Sequence, residues 1–225
     1  ETSWAVGSDL GGFNLPAGLL TEHTGSDFSN GWSTLERKNF TEITGPGGIY
    51  GATNDADVIW ALGWDKRSVL LKLLDGGVWS TFRLPKGSYT HDSFQGWYTE
   101  WPRIREVQPG TLLMHMHGLF YTFPKGFRAA QTAGITPLCT YLKMPVDYCG
   151  WNGGIVMGRD DASTTGGNIW AGQSHSAPWF GLLSDLEQWG APTGFGGPWK
   201  DDAVTNGVPG EPFFVAGFER RVLHL

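Results

Sequence analysis

The sequence predicts an all-β protein, a β-propeller of four-stranded antiparallel blades. Three observations carry that prediction: helical periodicity is almost absent, short β-rich runs alternate with turn residues, and similar runs recur at a fixed interval. Gly 34 and Pro 13 make up about a fifth of the 225 residues, against roughly 12% in average usage. Glycine has no three-residue period and 40% of the chain is hydrophobic, so this excess belongs to turns rather than to collagen or disorder.

The expected strands are Asp57–Trp64, Ser68–Leu74, Val78–Leu84, Arg103–Val107, Thr111–His117, Leu119–Phe123, Cys139–Leu142, Ile155–Gly158, Trp179–Leu183 and Phe213–Ala216. Asp75-Gly76-Gly77 and Asn152-Gly153-Gly154 read as hairpin turns, because Gly after Asp or Asn supplies the positive φ such turns require. Only Phe127–Ala133 and Ser184–Trp189 carry enough periodicity for a turn or two of helix.

Ser68-Val-Leu-Leu-Lys-Leu-Leu, Thr111-Leu-Leu-Met-His-Met-His and Gly154-Ile-Val-Met-Gly-Arg-Asp begin at successive offsets of 43 residues. Two of these runs lead into an aromatic strand ending in proline, Trp79 to Pro85 and Leu119 to Pro124. Arg221–Leu225 reads as a further copy, delayed by a Gly/Pro-rich insertion. Several strands per unit at a period near 40–50 residues is the signature of a propeller. A β-sandwich is the alternative, and the regular spacing disfavours it. At this period the chain holds about four or five blades in a single domain spanning 1–225. The last run stops where earlier copies continue into a partner strand, so either the N-terminal segment closes the ring or, as the preferred expectation, the chain is a fragment of a longer propeller.

Net charge is −6 and no Lys/Arg cluster is present, which argues against tight nucleic-acid binding. No apolar run approaches the ~18 residues a helical membrane span needs. Cys139 and Cys149 are too few for a disulfide framework; they form one disulfide or supply a metal ligand. No Gly-x-Ser-x-Gly elbow, phosphate-cradling loop or His-Glu-x-x-His is present.

The densest candidate segment for chemistry runs from Lys86 to Arg105. It gathers Tyr89, His91, Asp92, Trp97, Glu100, Trp101, Arg103 and Arg105 between two blades. Along a strand, Arg103 and Arg105 share one face opposite Ile104. Two guanidiniums on one face need anions, either ion bridges to Glu100, Asp92 or Glu106 or the carboxylate of a ligand held by the guanidinium fork. Trp97, Trp101, Glu100 and Arg103 are the substrate-binding candidates, since aromatic planes stack on the C–H faces of sugar rings. His115 and His117 alternate with Met114 and Met116 and face one way. Such a pair binds metal less often than it packs in a core. Cys149 and His175 are the further ligands if a metal is held. His23 lies in a polar stretch that reads as a loop.

Thr44–Gly51, Gly63–Gly77, Trp97–Arg105 and Glu211–Gly217 resemble a group of secreted seven-bladed propellers. That group comprises ulvan lyases, gum-arabic rhamnosyl-glucuronate lyases and related α-L-rhamnosidases. The resemblance runs from about Gly45 to the C-terminus, and the relatives are longer. It implies a secreted or periplasmic protein acting on an acidic polysaccharide next to glucuronate. In the lyases of the group a histidine, a second histidine, a tyrosine and an arginine form the site in that order. Carried over, Tyr89 and Arg105 fill the last two roles and His23 the first. No histidine lies between His23 and Tyr89, so His91 is the substitute for the second. The resemblance also implies a zinc or calcium site in some members, for which Cys149 with His117 or His175 are the candidates; the chemistry itself requires no cofactor.

β-Elimination from a uronate removes the proton at C5, whose acidity is low while the adjacent carboxylate is charged. An arginine paired with that carboxylate stabilises the enolate-like transition state. A tyrosine or histidine takes the proton and another returns one to the leaving oxygen. Tyrosine, with a pKa of about 10, needs a nearby cation such as Arg105 to serve as the base. The competing expectations are a rhamnosidase-type hydrolase and a sugar-binding propeller without catalysis.

Overall fold

The computed structural model describes residues 2–7, 19–25, 27–48, 51–52, 54, 56–87, 103–116, 118–141, 144–160 and 178–224. These residues form an all-β structure of successive antiparallel sheets. The first sheet holds β1 (Thr2–Gly7), β2 (Leu19–Thr24) and β3 (Trp32–Glu36) in chain order. The second has four strands, β4 (Asn39–Thr44), β5 (Ile59–Trp64), β6 (Val69–Asp75) and β7 (Val78–Leu84), again in chain order. After the short β8 (Lys86–Gly87) comes a second four-stranded sheet of β9 (Arg103–Gln108), β10 (Thr111–Met116), β11 (Leu119–Phe123) and β12 (Thr136–Thr140). The next sheet comprises β13 (Met144–Trp151), β14 (Gly154–Asp160) and β15 (Trp179–Gly181). One turn of helix, α1 (Leu183–Leu186), precedes β16 (Gly194–Phe195), which pairs back with β8.

The sheets stack face to face in chain order, and the sequence of β5 shows why. Ile-Trp-Ala-Leu-Gly-Trp does not alternate apolar with polar, and all six residues are buried. A strand covered on both faces reads as a continuous apolar run. Ala61 faces the first sheet, in a cluster with Leu20, Phe40 and Leu70. Trp60, Leu62 and Trp64 face the third sheet, packed with Ile104, Met114, Tyr121 and Phe123. The pattern repeats on β10, where Met114 and Met116 belong to that core. Leu113 turns the other way, into a cluster with Phe120, Tyr148, Ile155 and Met157 of the third and fourth sheets. The first strands of neighbouring sheets adjoin one another, β1 with β4, β4 with β9 and β9 with β13.

Two local features fix this stacking. A Cβ on Gly63 would lie 2.1 Å from the Asn39 carbonyl oxygen, so only glycine lets β4 and β5 approach this closely. The C-terminal segment straps the second sheet. Phe213 bridges Arg83 in parallel, with Arg83 N–H donating to the Pro212 carbonyl and Phe214 N–H to the Arg83 carbonyl, both at 2.8 Å. The Arg83 side chain is fully buried and grips Asp65 with both Nη atoms at 2.8 Å, while its Nε pairs with Glu211.

The structure corrects several sequence expectations. The 43-residue interval aligns β10 with β14, both second strands, but sets against them β6, a third strand. A third strand and a second strand in doubly covered sheets present the same apolar run, so the spacing caught the composition and missed the phase. Phe127–Ala133 is no helix: Arg128 bridges Gln131, and Asp75 accepts from Arg128 Nη2 at 3.0 Å and from the Ala129 N–H at 2.9 Å. Phe213–Ala216 makes a single bridge, and residues 221–224 carry no strand. Cys139 and Cys149 are not joined; Cys139 is buried, its thiol pushed up to about 12 by burial, and Cys149 is exposed. Among the described residues no helix is long and apolar enough to cross a membrane.

Candidate functional site

Arg103 and Arg105 share a face of β9, as the strand period requires, with Ile104 buried opposite. Because β9 adjoins β4 on one side and β13 on the other, both guanidiniums meet acids from those strands. Arg105 donates through Nη1 to Glu42 of β4 and to the Ile104 carbonyl at 3.1 Å. Its Nε and Nη2 hold the two oxygens of Asp147 of β13 at 3.0 and 3.1 Å. Arg103 donates through Nη1 to the Thr41 carbonyl at 3.2 Å and lies 3.7 Å from Glu42 and 3.6 Å from Asp147.

The cluster has a closed side and an open side. The Glu42 side chain is 6% exposed, each arginine 15%, and Asp147 50%. Tyr148 closes the floor: its hydroxyl lies 2.9 Å from the Leu113 carbonyl and 3.1 Å from the Arg103 carbonyl, sharing its one proton between them. The Tyr148 N–H in turn donates to Asp147 Oδ1 at 2.8 Å and orients that carboxylate.

Burial decides the protonation of Glu42. Loss of water pushes its carboxyl up to about 7, against the pull of Arg105 and Arg103. Burial also works against the charge of Arg105, but Glu42 and Asp147 more than offset it and raise its pKa. The two partners thus shift in senses that favour opposite states of the pair. A guanidinium stays charged throughout the ordinary pH range, so Glu42 is the member that titrates. Burial lifts the Tyr148 phenol well above its ordinary value, which makes it a hydrogen-bond donor and not a base.

Of the residues expected from sequence, Arg103 and Arg105 come together. Their bridges run to Glu42 and Asp147, whereas Glu100 and Asp92 lie outside the described residues, and Glu106 instead bridges Lys125. His23 lies on strand β2 rather than in a loop, 3% exposed, with Nε2 donating to the Asp27 carbonyl at 2.6 Å. Its ring packs against Phe28 and Trp32 at 4.9 and 4.8 Å. His115 is a core histidine, packed at a tilt against Phe120 and accepting the Gly118 N–H at 3.0 Å. Tyr89, His91, Trp97, Glu100, Trp101, His117 and His175 lie outside the described residues. Cys149 is exposed on β13, and the described residues contain no group of three or more His, Cys, Asp or Glu able to hold a metal.

Glu42 and Asp147 escaped sequence reading because β4 and β13 themselves did. The available signal was a lone acid inside an otherwise β-prone run, Asn-Phe-Thr-Glu-Ile-Thr in one case and Pro-Val-Asp-Tyr in the other. Two arginines on one strand face call for such partners. Comparison with known proteins finds no family model, no characterised protein and no solved structure that matches the chain.

Proposed function

We propose that this chain belongs to a β-propeller enzyme that binds the uronate carboxylate of an acidic polysaccharide at Arg105 and cleaves beside it by β-elimination. The face-to-face stacking of sheets with adjoining first strands supports the propeller reading. The observation that carries the functional reading is the state of the Arg105 fork. Its solvent side already receives a carboxylate in two-point geometry, from Asp147, while Glu42 supports the guanidinium from behind. A site shaped to hold one carboxylate in this way fits the carboxylate of a sugar acid.

In this reading Arg105, aided by Arg103, neutralises the uronate and lowers the cost of removing the C5 proton. Tyr89 and His91 are the proposed proton carriers, with Trp97, Trp101 and Glu100 as the proposed substrate-binding residues. His23 is less suited to that work, being buried with its Nε2 proton committed to a carbonyl. A polysaccharide substrate implies a secreted or periplasmic protein.

One observation favours a second reading. Glu42 near neutrality beside an exposed Asp147 resembles the split carboxyl pair of a glycoside hydrolase. Glu42, however, sits on the buried side of both guanidiniums, where a glycosidic oxygen has no approach. Incubation with ulvan or gum arabic separates the readings. Elimination yields an unsaturated uronate that absorbs in the ultraviolet. Free rhamnose without that chromophore identifies the hydrolase, and binding without either product leaves a lectin-like module.

A further inference from the structure

Within the cluster the two acids are not equivalent. Glu42 is nearly closed to water, comes from β4 and is hydrogen-bonded behind the guanidinium. Asp147 is half exposed, and β13 carries a register irregularity between Pro145 and Asp147. Removing Glu42 from Arg105 takes away the buried acceptor behind the guanidinium, which the half-exposed Asp147 cannot replace from the open side. Removing Asp147 exchanges one two-point carboxylate contact for water or for another carboxylate. Asp147 is half exposed and regains water when it leaves, and another carboxylate can make the same two-point contact, so little is lost in the exchange.

We propose that Asp147 is a displaceable carboxylate that fills the uronate position on Arg105 and Arg103 until the ligand's own carboxylate takes it. This rests on the uronate-binding reading of the site and adds to it a residue that sets ligand affinity and selectivity. Asp147 lies within reach of both guanidiniums, 3.0 and 3.1 Å from Arg105 and 3.6 Å from Arg103, so its two oxygens mark where an incoming carboxylate would sit. Neutral sugars present no group able to take that place. A singly charged carboxylate does, and on displacement Asp147 is left with water and with the N–H of Tyr148. Asp147 therefore competes with anionic ligands and has no such effect on neutral ones.

Asp147→Asn keeps the shape and removes the charge. In calorimetric titration of the full chain with free glucuronate, Asp147→Asn should bind about fivefold more tightly than the wild type. Binding of rhamnose, the neutral control, should not change. Unchanged or weaker glucuronate binding by a folded Asp147→Asn overturns the proposal, and so does an equal gain for rhamnose. Should the variant fail to fold, the wild type supplies the second measurement. Glucuronate at saturation should move the Arg105 Nε–H resonance and the Asp147 side-chain carboxyl carbon together; movement of the arginine signal alone refutes displacement. The reaction is read separately. A tighter Asp147→Asn in a protein that yields no ultraviolet product supports displacement and removes the lyase. Product formation with no gain in glucuronate affinity keeps the lyase and removes displacement.

Discussion

Replacing Glu42 by glutamine tests the electrostatics of the cluster most directly. The carboxyl is held by Arg105 and Arg103 of β9, which also pair with Asp147 of β13, and its charge is felt by the buried Tyr148 phenol. Burial moves it from its ordinary 4.5 to about 7. Between those values the folded protein binds a proton that the unfolded chain has released, so stability falls as pH rises through the window. At about 1.4 kcal/mol per pH unit the full displacement corresponds to about 3 kcal/mol. Urea midpoints should therefore decline from pH 5 to pH 8 in the wild type. Glu42→Gln keeps an oxygen for Arg105 Nη1 and removes the titration, so its midpoint should lose that component of the slope. Every other ionisable group remains in both proteins, and the difference between the two curves isolates Glu42. Parallel curves, or a wild type whose stability gains on Glu42→Gln as pH rises from 5 to 8, would show that Glu42 is ionised throughout and that the guanidiniums outweigh burial.

Two further substitutions probe the frame that carries the site. Arg83→Ala leaves the Asp65 and Glu211 carboxylates without their shared cation. It should cost about 3–5 kcal/mol in urea unfolding and speed proteolytic cleavage between residues 199 and 215, where the C-terminal strap is held. Gly63→Ala places a methyl group 2.1 Å from the Asn39 carbonyl, forcing apart the strand that carries Glu42. A loss of about 2–4 kcal/mol in thermal or urea unfolding is expected, and a near-neutral effect would mean that β4 and β5 approach less closely.

The legible part of this fold is the part whose pattern is local. β7 and β11 fall on the residues their aromatic alternation marks, Val78–Leu84 and Leu119–Phe123. The Asp75–Val78 hairpin forms because Gly76 and Gly77 accept φ of 57° and 79°. What stayed illegible depends on neighbours. β4 carries Thr41, Glu42 and Thr44 among its apolar residues, and only the guanidiniums of β9 explain why an acid is buried there. β13 begins with Met144-Pro145 and holds Asp147, features of a turn when read without a partner strand. The arginine pair on β9 was legible from spacing alone, yet its counter-ions lie 63 and 42 residues away in the chain. Nothing local points across such separations, and the nearer acids of the same segment were the natural but mistaken choice for Glu106, which turns to Lys125.

The charge arrangement separates protonation from ligand exchange. Two guanidiniums face two carboxyls, one half exposed, the other buried and pushed up to about 7 by burial. A carboxylate that takes the place of Asp147 puts one negative group where another stood, so the charge beside Glu42 is unchanged by the exchange. A permanently free fork would bind carboxylates indiscriminately and leave β9 with two uncompensated charges in the unliganded protein. Dividing the counter-charge between a buried acid that titrates and an exposed acid that can move holds the strand in place without a ligand and still leaves a position for one.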